Sequence, residues 1–264
     1  MTKPVFGVLG RSLPHTLSPQ LHNMIYEFTG YSGTYNIFEV EPEQVENVVS
    51  SAKGLNIRGI NVTIPYKQDV IPFLDDIDPQ AKELGAVNTI KLENGMATGY
   101  NTDYYGFPMS LLHKGIEIKG KSFLLCGVSG SGKAIHRALI NYGAREVLAA
   151  STNPEKGIPY SKIEKLPNMD VIVNCTPVGM YPKTEFCVVD DSVFDKFNTA
   201  VDIIYNPVET LFLKKAREKG LRTLSGLYML IFQGIKSFEI WTGKNVDSAC
   251  ADMIFEKLRQ ELIG

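Results

Sequence analysis

Long apolar runs are absent from this sequence, which contains no stretch near the roughly 20 apolar residues that a membrane-spanning helix requires. Residues 1–15 read MTKPVFGVLGRSLPH, and their early Gly and Pro leave no apolar segment long enough for a signal peptide. The formal net charge is only -2, so bulk charge gives no reason to expect nucleic acid or an anionic membrane as a partner. We therefore expect a cytoplasmic protein without either partner.

Cysteine and histidine are sparse, with four residues of each type. Cys126, Cys175, Cys187 and Cys250 are scattered and show no CxxC spacing. The four histidines show no metal-ligand spacing, and His22 is not followed by a Glu-x-x-His partner. We expect reduced thiols, with neither a disulfide framework nor a metal site.

Apolar residues make up 44% of the chain and charged residues 21%, which is typical of a globular protein with a substantial core. Short apolar runs alternate with amphipathic segments, and this alternation predicts an α/β fold. The first strands are predicted at 5–9, 34–40 and 59–64, and a second set begins at 122–126. Ser18 is predicted as the N-cap of the first helix, with Pro19 in its first turn.

A hairpin is predicted around Asn94-Gly95, which is the strongest two-residue signal for a tight β-turn. With these two residues in the turn, Glu93 faces Met96, and counting back places Asn88 opposite Asn101. The polar side chains of Asn88, Asn101 and Asp103 should then lie at one end of the hairpin. A competing interpretation is that Asp103 caps a helix that starts near Tyr104.

The segment Asn61-Val-Thr-Ile-Pro-Tyr-Lys67 carries polar residues at the end of a predicted strand. Alternation places Asn61 and Thr63 on one face and Val62 and Ile64 on the other. Open α/β sheets bind ligands at the carboxyl ends of their strands, so Lys67 is a candidate site residue. The alternative is an edge strand followed by a solvated lysine.

Two hydroxyl groups, those of Thr16 and Ser18, lie at the start of the first predicted helix. Hydroxyls and unpaired backbone N–H groups at a helix start can bind a carboxylate. The simpler interpretation, an N-cap by Ser18, is compatible with that role.

A glycine-rich turn, Gly127-Val-Ser-Gly-Ser-Gly-Lys133-Ala134, follows the strand at 122–126. The dinucleotide pattern GxGxxG matches at Gly127 and Gly132 but has Ser129 at its middle glycine. The P-loop pattern matches at Gly127, Gly132 and Lys133, but Ala134 replaces the hydroxyl that would bind magnesium. The strand, turn and helix context favours the dinucleotide turn.

Cofactor preference is usually determined after the next strand, where an acid binds a ribose diol or an arginine accommodates a 2′-phosphate. The sequence there is Ala150-Ser-Thr-Asn-Pro-Glu-Lys156, with neither group at the expected place. Lys156 is the first candidate to replace the missing ribose- or phosphate-binding residue, and Arg145 is the second.

Seven segments in a fixed order resemble the shikimate dehydrogenase family nearly end to end. They are His15-Thr-Leu-Ser-Pro19, Asn61-Val-Thr-Ile-Pro-Tyr-Lys67, Gly85-Ala-Val-Asn-Thr89, Asn101-Thr-Asp103, Asn174-Cys-Thr-Pro-Val-Gly-Met180, Tyr205-Asn-Pro207 and Gly226-Leu-Tyr-Met-Leu-Ile-Phe-Gln233. The resemblance implies reversible reduction of 3-dehydroshikimate to shikimate by NADPH, with NAD as a possible substitute. It also implies two domains, a substrate-binding domain at 1–103 and 230–264 and a Rossmann-like cofactor domain at 104–229, in a monomer or homodimer.

The resemblance also implies the roles of individual residues. Lys67 would act as the general acid in the reduction, with Asp103 beside it. The expected substrate-binding residues are Thr16, Ser18, Asn61, Thr63, Asn88, Asp103, Tyr205 and Gln233. The expected cofactor-binding residues are Gly127, Ser129, Gly130, Gly132, Ser151, Thr152, Thr176, Gly226 and Met229, and Leu230 would also lie near the nicotinamide.

Departures from the family pattern are concentrated in the cofactor half. Ser129 replaces a glycine, Ser151-Thr-Asn153 replaces Asn-Arg-Thr, and Tyr228 replaces a residue that is often glycine. Residues 157–167 are also too few for the helix that usually follows. Two alternatives therefore stay open: an NAD-preferring quinate or quinate/shikimate dehydrogenase, and a substrate-binding relative with weakened cofactor binding. A P-loop kinase is a further option.

Overall fold

The computed structural model describes residues 3–128 and 130–263. The chain divides into two compact units, one made of Met1–Thr102 and Gln233–Leu258, the other of Asp103–Phe232 and Arg259–Gly264. Both units combine helices with a β-sheet, so the fold is the predicted two-domain α/β fold. The predicted domain limits at 103 and 229, and the assignment of the whole C-terminal tail to the first domain, stay a prediction.

The first unit contains a mixed six-stranded sheet. Its strands are β1 (Val5–Gly10), β2 (Thr34–Glu39), β3 (Ile57–Val62), β4 (Asp76–Ile77), β5 (Thr89–Glu93) and β6 (Met96–Tyr100), in the order β2-β1-β3-β5-β6-β4. Its first helices are α1 (Ser18–Thr29), α2 (Val45–Gly54) and α3 (Pro79–Leu84). β1, β2 and β3 are parallel, whereas β5 runs antiparallel to both β3 and β6.

The second unit contains a five-stranded sheet in which every pairing is parallel. Its strands are β7 (Ser122–Cys126), β8 (Glu146–Ala150), β9 (Val171–Asn174), β10 (Thr199–Asp202) and β11 (Arg222–Leu224), in the order β11-β10-β9-β7-β8. Its helices are α4 (Asp103–His113), α5 (Gly130–Asn141) and α6 (Leu211–Glu218). The strand order reverses between β7 and β9, and open sheets bind ligands at such a switch point.

The last two helices are α7 (Leu227–Thr242) and α8 (Cys250–Ile263). Trp241, near the end of α7, lies flat against β3 and donates from Nε1 to the carbonyl of Ile90 (2.9 Å). Gly59 makes this possible, because a Cβ there would come within 2.3 Å of the Trp241 ring. This contact fixes the part of α7 that belongs to the first unit.

Two local predictions about the first unit are wrong. The residue before α1 is Leu17, which is the N-cap and whose carbonyl accepts from Leu21, so Ser18 is the first helical residue and caps nothing. The third strand ends at Val62, so alternation no longer applies at Thr63 and Ile64. Ile64 is accordingly 78% exposed, whereas Val62 is buried.

Candidate active site

A buried amide lies at the centre of the first unit's polar cluster. Asn61, near the end of β3, accepts a hydrogen bond at Oδ1 from the hydroxyl of Tyr35 (2.7 Å). Its Nδ2 donates to Ser237 Oγ (2.9 Å) and to Thr89 Oγ1 (3.1 Å). The ring of His22 stacks on Tyr35 with 4.2 Å between centroids, and burial lowers the pKa of His22 to about 3 even though a hydrogen bond with Asn61 opposes that shift. His22 is therefore neutral.

The second amide, Asn88, connects the hairpin to the residue that precedes α4. Its backbone N–H donates to Tyr100 O (3.0 Å), which continues the hairpin ladder as the turn count predicted. Its side-chain Oδ1 accepts from the backbone N–H of Thr102 (2.7 Å) and from the Thr102 hydroxyl (3.2 Å). The same hydroxyl lies 3.3 Å from Gln233 Oε1. Asn88 and Gln233 are thus joined through Thr102.

Lys67 follows β3 and is half-buried in the first unit. Its carbonyl accepts from the N–H of Val87 (2.7 Å), so its backbone is held beside Asn88. Asp103 comes directly after Thr102 in the chain, is buried, and is the first residue of α4 in the second unit. Ser131 in the first turn of α5 donates to Asp103 Oδ2 (3.1 Å).

The two hydroxyls predicted to bind a carboxylate lie together at the start of α1. Thr16 Oγ1 is 3.2 Å from Ser18 Oγ and also accepts from the Ser18 backbone N–H (3.3 Å). Thr63, just beyond β3, donates from its backbone to Leu9 O (2.9 Å). Its methyl group packs on Gly10, where a Cβ would lie only 2.9 Å away.

In the second unit, the glycine turn lies between the ends of β7 and β9. Gly127 has φ +103°, and a Cβ on it would lie 2.7 Å from Thr176 Cγ2. A Cβ on Gly132 would lie 2.7 Å from the carbonyl of Gly127. Glycine is therefore required at both positions, whereas Gly130 opens α5 with free space around it. A tight turn, a helix start and a switch point fit a dinucleotide pyrophosphate. Ser129 lies outside the described residues.

The end of β8 leads into a short closed loop. Ser151 is buried, and its hydroxyl accepts from the N–H of Asn153 (3.1 Å), whereas Thr152 is exposed. The chain returns at Ile158, which forms an isolated parallel bridge with Ala150. Only a six-residue 3₁₀ helix follows, at Tyr160–Lys165, where the sequence indicated too little chain for an α-helix.

The other predicted cofactor residues lie at the ends of β9 and β10 and at the start of α7. Thr176 is held by Asn174, whose Oδ1 accepts from its N–H (3.0 Å) and its hydroxyl (2.7 Å). A Cβ on Gly226 would come within 2.2 Å of the carbonyl of Ile203, and Met229 is buried. Tyr205, after β10, is half-buried, and burial raises its pKa.

Tyr228, the bulky departure at the start of α7, is directed toward the end of α4. Its hydroxyl accepts from Lys114 Nζ (3.1 Å), and that ammonium lies 4.8 Å from the ring centroid. The ring of His113 is a further neighbour, with 5.7 Å between centroids. These contacts give the tyrosine ring a fixed place among residues of the second unit.

Several residues that complete these clusters were missed at the level of sequence. They are Tyr35, Thr89, Thr102, Ser131, Asp202 and Ser237. One signal was available for Ser237, which follows Gln233 by four residues on α7 and so shares its face. In the described ranges 3–128 and 130–263, no group of three or more His, Cys, Asp or Glu residues could hold a metal ion.

Comparison with known proteins decides the family. Residues 8–90 match the model of the shikimate dehydrogenase substrate binding domain, and residues 226–250 match the shikimate 5'-dehydrogenase C-terminal domain. The shikimate dehydrogenase (NADP(+)) of Clostridium perfringens is 41% identical over 97% of this chain and 98% of its own. The chain belongs to the shikimate dehydrogenase family.

Solved structures agree with this membership of the shikimate dehydrogenases. The chorismate mutase/shikimate 5-dehydrogenase fusion protein from Clostridium acetobutylicum superposes with a TM-score of 0.96 at 40% identity, covering 100% of both chains. The enzyme from Thermus thermophilus, solved in complex with NADP(H) and shikimate, has a TM-score of 0.88 at 31% identity and covers 96% of this chain and 99% of its own. No helix among the described residues is long and apolar enough to cross a membrane.

Proposed function

We propose that this protein is a shikimate dehydrogenase, an oxidoreductase that reversibly reduces 3-dehydroshikimate to shikimate with NADPH. The observation that carries the proposal is full-length identity of about 40% to relatives named shikimate dehydrogenase (NADP(+)), including those of Clostridium perfringens and Aquifex aeolicus. The bound NADP(H) and shikimate of the Thermus thermophilus relative support the same ligands here.

The substrate is a ring with one carboxylate and several hydroxyls, and the first unit offers groups of matching chemistry. We assign the carboxylate to the adjacent hydroxyls of Thr16 and Ser18. The ring hydroxyls are assigned to the side chains of Asn61, Thr63, Asn88, Asp103 and Gln233, with Tyr205 close to the substrate. Tyr35 donates to Asn61 and the Thr102 N–H donates to Asn88, and these hydrogen bonds orient both amides before the substrate binds.

Lys67 and Asp103 are assigned the proton chemistry. The Lys67 ammonium stabilises the negative charge that develops on the substrate oxygen and then donates a proton to it. The Asp103 carboxylate is assigned the role of orienting the lysine side chain. Ser131, which donates to Asp103, orients the carboxylate in turn.

The nicotinamide cofactor supplies the hydride when it is bound. We assign its pyrophosphate to the turn at Gly127, Ser129, Gly130 and Gly132, where the first and last glycines leave no room for a Cβ. Ser151 and Thr152 are assigned to the adenosine ribose. Thr176, Gly226 and Met229 are assigned to the nicotinamide side of the site.

The proposal is tested by following reduced-cofactor absorbance for the pure protein with shikimate or quinate, and NADP or NAD. We expect the highest kcat/KM for shikimate with NADP. A folded protein that turns over neither substrate with either cofactor would contradict the proposal. A preference for quinate with NAD would support the alternative suggested by the missing arginine after β8.

Replacement of the proposed general acid gives a sharper test. Lys67→Met should lower kcat by roughly 10²–10⁴-fold, because the developing oxyanion then has neither a positive charge nor a proton donor. Lys82→Met is the matched control, since Lys82 is exposed at the end of α3 in the same unit. Equal activity of the two variants in steady-state assays would remove Lys67 from its role.

A non-catalytic relative that binds substrate but has lost cofactor affinity is the other candidate, suggested by the altered segment after β8. Calorimetric titration separates the two functions, because micromolar binding of NADP or NAD would argue against the non-catalytic relative.

We also propose a cytoplasmic location, since Cys126, Cys175 and Cys250 are buried unpaired thiols. A monomer or homodimer is expected, and light scattering would decide between them.

A further inference from the structure

We infer that Asp202 is a positioning residue of the cofactor site, acting through Asn174 on the segment that carries Thr176. Asp202 ends β10 and is fully buried in the second unit. The inference rests on the proposed function for the identity of the cofactor. Its structural basis lies entirely within the second unit.

The Asp202 carboxylate collects donors from three segments. Asn174 Nδ2 lies 3.2 Å from Oδ1 and 3.1 Å from Oδ2. The backbone N–H of Ile204 donates to Oδ1 (2.9 Å), and the hydroxyl of Thr210 donates to Oδ2 (2.7 Å). A buried carboxylate requires such donors, because burial without them is costly. The ends of β9 and β10 are thereby joined to the start of α6.

Asn174 transmits this constraint to the predicted nicotinamide side. It sits opposite Asp202 in the parallel register of β9 and β10. Besides contacting the carboxylate, its Nδ2 donates to Val178 O (3.1 Å), while its Oδ1 accepts from the N–H and the hydroxyl of Thr176. Thr176 Oγ1 in turn accepts from the N–H of Val178 (3.2 Å). One amide therefore fixes the path of residues 176–178.

The last link is the contact between Thr176 and the glycine turn. The methyl group of Thr176 packs so closely on Gly127 that a Cβ at Gly127 would lie only 2.7 Å from it. Beside this contact, the N–H of Cys175 donates to Cys126 O (2.8 Å). The turn proposed for the pyrophosphate and the residue proposed for the nicotinamide are thus packed together. A shift of Asn174 moves the second of them and loosens its packing on the first.

Both oxygens of the Asp202 side chain serve as acceptors, and this makes the arrangement specific. Asn174 Nδ2 and the Ile204 N–H can only donate, and Nδ2 lies within 3.2 Å of both carboxylate oxygens, so an amide at position 202 would place its N–H₂ group against a donor in either orientation. Asp202→Asn keeps the size of the side chain, replaces one acceptor oxygen by a donor group and removes the ionisable carboxyl. It is therefore the most direct test of the inference.

Asp170 provides a matched control in the same unit. Its Oδ2 accepts from the backbone N–H and the hydroxyl of Ser122 (2.8 and 2.7 Å), so it too joins two strands of the sheet. It directly precedes β9, at the amino-terminal end of the parallel strands, whereas the glycine turn lies at their carboxyl-terminal end. Asp170→Asn should affect the fold of the unit but not the cofactor site.

The experiment measures dissociation constants for NADP⁺ and for shikimate, each alone, by calorimetry. Asp202→Asn should weaken NADP⁺ binding by at least about tenfold and change shikimate binding less than about threefold, since a mispaired buried group displaces its partners. Asp170→Asn should leave both constants near those of the unaltered protein. Unchanged NADP⁺ binding in folded Asp202→Asn, or the same selective loss in Asp170→Asn, would overturn the inference.

Amide hydrogen exchange of the ligand-free protein separates this inference from the proposed function. Exchange of the Thr176 and Val178 amides should accelerate by about tenfold or more in Asp202→Asn, relative to amides of β7, because their acceptors lose their support. Unaltered exchange there would overturn the inference even if the protein proves to be a shikimate dehydrogenase. If Asp202→Asn does not fold, the same two measurements are made on Asn174→Ala. Weaker NADP⁺ binding with faster exchange at Thr176 and Val178 would support the inference, and no change in either would overturn it.

Discussion

Buried hydroxyl groups hold the side chains to which we assign the substrate. Ser237 illustrates this, because its hydroxyl accepts from Asn61 Nδ2 (2.9 Å), lies 2.9 Å from Thr89 Oγ1, and donates to Gln233 O (2.9 Å). Asn61 therefore has little freedom to rotate its amide. A hydroxyl that contacts no ligand can in this way determine how well a ligand is bound.

Removing that hydroxyl should weaken shikimate binding selectively. Ser237→Ala leaves one amide hydrogen of Asn61 without its acceptor, which costs about 1–3 kcal/mol when buried, so the amide turns toward other partners. We expect the KM for shikimate to rise by about tenfold, with the KM for NADP changed less than about twofold. Steady-state kinetics with each substrate varied in turn would measure both constants.

Ser110 supplies the control for this prediction. It is also a buried helix serine, and its hydroxyl donates to Phe107 O within α4. Ser110→Ala removes a hydroxyl of the same kind without disturbing an assigned side chain. Equal effects of the two substitutions on the KM for shikimate would show that Ser237 acts through general packing.

The sequence could predict the polar side chains of the site but not the groups that hold them. Asn61, Asn88 and Lys67 follow from a strand end, a turn count and family motifs. Ser237 lies 176 residues from Asn61, and no local pattern connects two such positions. Asp202 is hidden for the same reason, since its donors come from three separate segments.

Among the elements, the β5–β6 hairpin was predicted best. Its turn, Asn94-Gly95, has positive φ at both residues (52° and 76°), and the register places Glu93 opposite Met96. A two-residue turn of this kind sets the register of the strands by its own geometry. The end of β3 was predicted less well. The strand ends at Val62, and the backbone of the next residue, Thr63, is held by Leu9 O of β1, a partner that no local pattern indicates.

The docking of α7 on the first unit's sheet depends on one small residue in β3. Gly59→Ala would place a methyl group within about 2.3 Å of the Trp241 ring, so the helix must shift. Overpacking of this kind typically costs about 1–3 kcal/mol. Because α7 carries Gln233 and Ser237, we expect both a lower free energy of unfolding in urea and a higher KM for shikimate.

Gly54 is the matched glycine for this test. It ends α2 in the same unit, is exposed, and has nothing within 4 Å of the position of a Cβ. Gly54→Ala should leave the KM unchanged and stabilise the protein by up to about 1 kcal/mol, through a less flexible unfolded chain. A Gly59→Ala variant as stable and active as Gly54→Ala would refute the role given to the Trp241 contact.

Across the whole molecule, the alternation of elements predicted the fold class, but the order of strands required the structure. In the sheet of the second unit, β7 lies between β8 and β9, and β10 follows on the far side of β9. This order creates the switch point beside Gly127, and no local pattern in the sequence indicates it. The two units also bury ionisable groups of opposite character. His22 lies in the first and Asp202 in the second.

These two groups should give the units opposite dependences of stability on pH. Burial lowers the pKa of His22 from 6.5 to about 3, so the folded state binds fewer protons than the unfolded one, and stability falls as the pH drops from about 6.5 toward 3. Burial raises the pKa of Asp202 from 3.8 to about 7, despite hydrogen bonds that oppose the shift, so stability falls as the pH rises from about 4 toward 7. Neighbouring Tyr35, Cys126 and Cys175 have raised pKa values and stay neutral throughout.

Each contribution has a slope of about 1.4 kcal/mol per pH unit, and between about pH 4 and 6.5 the two oppose each other. Relative to the unaltered protein, His22→Phe should therefore gain stability as the pH is lowered through this window, because the stacked ring is kept and the buried group that must stay neutral is gone. Asp202→Asn should gain stability instead as the pH is raised from 4 to 7. Urea unfolding at half-unit pH steps measures both differences, and parallel curves for a variant and the unaltered protein would refute the titration assigned to that residue.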